Sequence, residues 1–183
     1  MSRKAFALLV IAALALPLVA LAAMIGQQEW LRSNATVLTV AVRGVDPRDL
    51  LRGHYLTAAF AWDWASPPGT EGRTVAGALC VIEIDAQQRP HVRFVPASTA
   101  DRTSPGPCRL VIPGGLWGRD AFVPASIPTA NGSFRLYVPE ARAGELERTI
   151  RDRPGALTVD LAVRADGHVS IQALRVDGQL LGH

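Results

Sequence analysis

Lysine is almost missing. Lys4 is the only one in the 183-residue chain. Chemistry that needs a lysine base is therefore excluded from everything after it. Cysteine is scarce too. Cys80 and Cys108 stand alone, with no C-x-x-C and no histidine at ligand spacing, so no metal site is expected. No other cofactor is expected either. Basic runs are absent. The formal charge is +3, but Arg3 and Lys4 take two of the 19 basic residues, leaving 17 against 16 acidic ones. A near-neutral remainder without a polybasic stretch has no grip on a phosphate backbone, so no nucleic-acid partner is expected. Internal repeats are lacking as well.

What the chain does have is a long apolar run. "AFALLVIAALALPLVALAAMIG", Ala5 to Gly26, follows Arg3 and Lys4, and no charge appears before Glu29. About 20 apolar residues cross a ~30 Å hydrocarbon core as a helix. Pro17 is tolerated in such a helix. A cleaved signal peptide is the alternative. Ala20–Ala22 supplies a small-x-small site, but the run exceeds the usual signal core of about 7–15 residues. Both readings keep the two positive residues in the cytoplasm and export the rest. Trp30 falls where an interfacial ring is expected. The expected organisation is a signal anchor over residues 1–26, touching the membrane through residues 5–25, and one exported domain over residues 27–183.

Both cysteines lie in the exported part, where an even pair can bridge. A Cys80–Cys108 disulfide would contribute about 3 kcal/mol through the loop it closes. Two free cysteines are the other reading. Asn34 and Asn131 sit in N-x-[ST] sequons, which are read as chance.

The exported part reads as strands with one helix. "TVLTVAV", Thr36 to Val42, is β-branched. "YLTAAFAW", Tyr55 to Trp62, alternates, with Leu56, Ala58, Phe60 and Trp62 on one face. Residues 74–85 and 91–96 form a hairpin across "AQQR", and 108–113 is a short strand. Residues 114–128 read as irregular, anchored by Leu116, Trp117 and Phe122. "GSFRLYVP" alternates again. Pro139 to Gly155 has Pro first, acids early and arginines late, the polarity of a helix. Asp166-Gly167 is a hairpin turn between two closing strands. The class is mainly β (α+β), with a membrane helix and a single packed helix.

The densest chemistry is "DPRDLLRGHYLTAAF", Asp46 to Phe60. Asp46 and Asp49 cap a turn, Arg48 and Arg52 pair with carboxylates, and Gly53 turns the chain into a strand. Pro47 fixes the start of that turn. His54 could titrate near neutrality beside Asp49. A polar turn residue is its bland reading. A metal site from His54, His91 and His168 is weighed and not adopted.

This stretch resembles the signature segment of the GDYXXLXY family of bacterial proteins. "FRLYVPEARAGELER" resembles that family's second signature. Asp46, Pro47, Arg48, Asp49, Leu50, Arg52, Gly53 and Tyr55 match as they stand, as do Tyr137, Val138, Pro139 and Glu140. His54 stands where the motif has Asp, Ala58 where it has Leu, and Phe60 where it has Tyr. The resemblance spans about Thr36 to Leu181. It implies a membrane-anchored protein and supplies no reaction. The expected setting is a bacterial inner membrane, single-pass, with the C-terminal domain facing the periplasm. The expected function is a binding or envelope-assembly module, with another membrane protein as partner. The candidate binding set is Arg52, His54, Tyr55, Tyr137 and Glu140. Catalysis is not assigned to any residue. The Arg-Gly-x-Tyr approach to a strand is also similar to a β segment of type I signal peptidases. A hydrolase on such a fold is the alternative, although it would lack the Ser/Lys dyad because Lys4 is the only lysine.

Overall fold

The computed structural model describes residues 3–44, 55–68, 74–97, 107–129, 132–138 and 140–181. It divides into two compact units, Met1–Ala35 and Thr36–His183.

The first unit is one helix, α1, over Arg3–Ser33. It carries no charge between Lys4 and Glu29, and Pro17 lies inside it. The helix passes through Gly26 and ends where two side chains converge on one of its last carbonyls. Ser33 Oγ and Asn34 Nδ2 both donate to the Trp30 carbonyl, at 2.9 and 2.8 Å. The stretch Ala13–Leu31 is long and apolar enough to cross a membrane. Its large apolar side chains, Leu14, Leu18, Leu21 and Ile25 among them, are exposed.

The second unit is two antiparallel-dominated sheets. The first contains β1 (Thr36–Gly44), β2 (Tyr55–Ala61), β8 (Phe134–Tyr137), β9 (Leu157–Val163), β10 (Val169–Val176) and β11 (Gln179–Leu180), in the order β11-β10-β9-β1-β2-β8. The second contains β3 (Asp63–Trp64), β4 (Val75–Ile84), β5 (Pro90–Pro96), β6 (Leu110–Trp117) and β7 (Ala121–Pro124), in the order β3-β5-β4-β6-β7. Alternate residues of both sheets fill the space between. Leu38, Val40 and Val42 of β1 meet Leu79, Val81, Ile112 and Phe122 in one buried cluster. Helix α2 (Glu140–Asp152) packs on β1, β2 and β9. It puts Leu146 into the core, and Ile150 lies over Gly44.

Two of the seams between the sheets show how they are held together. At one, the chain runs from β2 straight into β3 and so changes sheet. Trp62 marks the crossing. It is buried, and its indole N–H donates to the Phe122 carbonyl at 2.8 Å. At the other, Ser126 Oγ exchanges two 2.8 Å hydrogen bonds with the backbone N–H and carbonyl of Val169. The tip of the Asp166-Gly167 hairpin lies on β6, where Gly167 (φ 80°) faces the ring of Pro113.

Most expected strands are present, as is the 85–90 hairpin, where Asp85 Oδ1 accepts the backbone N–H groups of Gln87 and Arg89 at 2.8 and 2.7 Å. The irregular reading of residues 114–128 is corrected. Strand β6 continues through Pro113-Gly114-Gly115 to Trp117, and β7 returns beside it. Gly114 explains the lapse. It lies directly across from Gly77 of β4. A Cβ on Gly77 would stand 2.7 Å from the ring of Phe94 and collide with the Val95 carbonyl. One on Gly114 would stand 2.6 Å from the ring of Phe122 and collide with the Val123 carbonyl. The two rings lie 6.1 Å apart and cover the glycine pair. The strand is stabilised there by rings supplied from its neighbours, in place of its own side chains.

Gly77→Ala and Gly114→Ala should each lower the unfolding free energy by about 1–3 kcal/mol, because the rings must leave their seats. The double variant should lose less than the sum, since both changes disturb one ring pair. Gly144→Ala is the contrast. Gly144 is an exposed α2 residue with open space around it, and the change should raise stability by up to about 1 kcal/mol. Urea denaturation of the three single variants and the double variant checks this set.

Candidate functional site

The two signature segments are about eighty residues apart in sequence, yet the sheet joins them. Strand β2 begins at Tyr55, and β8 ends at Tyr137. The strands pair antiparallel with Tyr55 opposite Tyr137, Leu56 opposite Leu136 and Ala58 opposite Phe134. These are the only two tyrosines in the chain. Glu140 opens α2 just beyond. The pairing is set from below. Phe134 and Phe60 stack with centroids 4.1 Å apart, both fully buried, and Leu136 and Val138 are buried beside them. The alternation that sinks Phe134 and Leu136 leaves Arg135 exposed between them.

Asp46, Pro47, Arg48, Asp49, Arg52, Gly53, His54 and Pro139 lie outside the described residues. Of Tyr55, Tyr137 and Glu140 the backbone alone is described. The structure thus brings Tyr55 and Tyr137 together as neighbouring backbone positions and places Glu140 at the following helix.

The other sequence candidates are dispersed. His91 Nδ1 is 2.9 Å from Asp63 Oδ2 on β5 and β3. His168 is in the β9–β10 turn, its backbone N–H donating to Asp166 Oδ1 at 3.0 Å. No group of three His, Cys, Asp or Glu side chains converges among the described residues. Cys80 and Cys108 form a disulfide with Cα atoms 5.3 Å apart, across 28 residues of sequence. Cys80 is buried on β4, so the bridge ties the start of β6 to the middle of its neighbour.

Two polar arrangements escaped the sequence reading. Asp160, in the apolar strand "LTVDLAV", is only 5% exposed. It accepts from Thr39 Oγ1 at 3.0 Å and from Arg175 Nε at 2.7 Å. An acid within an apolar strand, with an arginine on the next, was the available signal. The second is a two-pronged pair. Both terminal nitrogens of Arg43 donate to Asp120, each at 2.6 Å. It links the end of β1, just before the first signature, to the β6–β7 turn. The Arg43 hydrogen bond holds the Asp120 carboxyl below its ordinary range, and the same bond raises the Arg43 guanidinium.

Because Asp120 is depressed in the folded chain, its stabilisation is present above the unfolded carboxylate pKa of about 3.9 and fades as pH falls through the lower folded value. Both partners are 45% exposed. Asp120→Asn should therefore cost about 0.2–1 kcal/mol near neutrality. Melting curves of parent and variant should converge as the pH drops below that ordinary value.

The geometry has a sequence counterpart. The model of a family described as "GDYXXLXY protein" matches residues 17–174, a range that includes both signature segments and the strands that pair them. No curated protein and no solved structure matches the chain. With most of its length covered, the chain belongs to the GDYXXLXY family.

Proposed function

We propose that this protein is anchored in a bacterial inner membrane by α1 and presents its β unit in the periplasm as a binding or envelope-assembly module. The partner is another membrane protein. The location rests on the apolar span after Arg3 and Lys4, whose charges favour the cytoplasmic side. The Cys80–Cys108 disulfide supports it, because such bridges persist in oxidising compartments.

One observation carries the binding reading. The β2–β8 ladder sets Tyr55 opposite Tyr137, so two distant signature segments end at one place. Tyrosine is a frequent contact residue, since one ring supplies both apolar area and a hydroxyl. Arg52, His54 and Glu140 adjoin these positions in sequence and complete the proposed surface.

A photo-crosslinking amino acid in place of Tyr137, in the full chain in its native membranes, checks the proposal. A discrete adduct with a membrane protein is expected. The same probe in place of Gln172, an exposed residue on β10, should give none. Equal, diffuse labelling from both positions would contradict the reading.

A further inference from the structure

A groove of about 430 Å³ lies on the face of the first sheet turned away from the core. Thr39, Thr158 and Arg175 form its floor, and Gln87, Arg89 and Asp177 stand on the turns beside it. Its size falls within the range of small-ligand pockets, roughly 300–1,000 Å³.

The carboxylates here are already engaged. Asp160, buried under the floor, holds Thr39 and Arg175. Asp177 Oδ2 accepts from Arg153 at 2.6 Å. Arg175 also donates through Nη1 to the Gly178 carbonyl at 3.1 Å. Its guanidinium is thus fixed at two nitrogens, and Nη2 has no partner among the described residues. The side chains of Arg89 and Gln87 have none either. The groove itself is lined by two arginines, Arg89 and Arg175, and one acid, Asp177, while Asp85 on the adjoining turn spends Oδ1 on two backbone N–H groups; hydrogen-bond donors are in surplus.

The rim is held in place as well. Gln88 takes a left-handed conformation (φ 63°), which is unfavourable for a side chain of its kind. Its carbonyl accepts the Thr39 N–H at 2.8 Å. With the two Asp85 bonds to Gln87 and Arg89, this docks the turn onto β1 and fixes where the Arg89 side chain starts. A strained turn pinned beside a donor-rich groove is the arrangement of a preorganised acceptor site.

We propose that this groove binds a carboxylate. Arg89 and Nη2 of Arg175 are its main donors and Gln87 a third. Planar guanidinium groups match the two oxygens of a carboxylate. The carboxylate belongs either to a peptide C-terminus or to a small free organic acid. This goes beyond the partner surface at Tyr55 and Tyr137 and uses none of its residues.

Calorimetric titration of the full chain in a neutral detergent tests it, with three probes: succinate, an N-acetylated trialanine with a free C-terminus, and the same peptide amidated. Binding of succinate or of the free-acid peptide, and not of the amide, is expected. Succinate alone would identify a free acid, and the peptide acid alone a chain terminus. Arg89→Gln should weaken the bound probe at least about tenfold, the loss of a charge-assisted hydrogen bond. Arg89 is exposed and without a side-chain partner among the described residues, so its melting should not change. Arg119→Gln, on the exposed β6–β7 turn, should bind as the parent does. No binding of either acid at millimolar concentration, equal binding of acid and amide, or undiminished affinity in Arg89→Gln would overturn the proposal.

Discussion

The run from Tyr55 to Trp64 belongs to both sheets, and the rest of the β unit is arranged around that fact. Its first half pairs with β1 and β8, and its last two residues pair in parallel with β5. A strand that changes sheet must keep its backbone satisfied while its inward face rotates. Trp62 is the residue at which this happens. It is large enough to fill the corner, and it carries one donor, which Phe122 of the opposite sheet accepts. Phe60, one alternation earlier, stacks on Phe134. The crossing strand therefore fixes both the closure of the core and the register of β8, and through β8 the position of the second signature.

The second sheet solves a different problem. Its middle strands carry glycines at a facing pair, Gly77 and Gly114, where a sheet would ordinarily lose packing. Phe94 and Phe122 lie over that pair. Phe122 thus both covers Gly114 and accepts the Trp62 hydrogen bond. On the other side of the same strands, the Cys80–Cys108 bridge joins β4 to the segment leading into β6. A loop of that length contributes about 3–4 kcal/mol in the chain-entropy view.

Much of the architecture was legible from alternation. Tyr55–Trp62 and the strands around the Asp166-Gly167 hairpin announce themselves because one face is buried and the other is not, and Thr36–Val42 by its β-branched residues. Pro139 to Gly155 was legible as a helix from its end residues. Residues 114–128 were not, because Pro113, Gly114, Gly115 and Pro124 remove the local pattern and the stabilising rings come from neighbouring strands. The two-residue strands β3 and β11 are too short to show a period. At the candidate site, sequence supplied the two signature segments, and pairing supplied their meeting at Tyr55 and Tyr137. The Asp160 network was hidden for the opposite reason. Its partners, Thr39 and Arg175, lie on two other strands, and no local rule links them.

In the proposed setting, the β unit stands on the oxidising side of a membrane and α1, long and apolar enough to span, is its anchor. The state of the two cysteines in the cell reports on that compartment, since the fold sets them within bonding distance. The direct measurement is alkylation of the full chain, extracted from its native membranes, denatured without reductant and weighed by mass spectrometry. Export of the β unit predicts no label at Cys80 or Cys108 before reduction and one at each afterwards. Both cysteines labelled before reduction would contradict it.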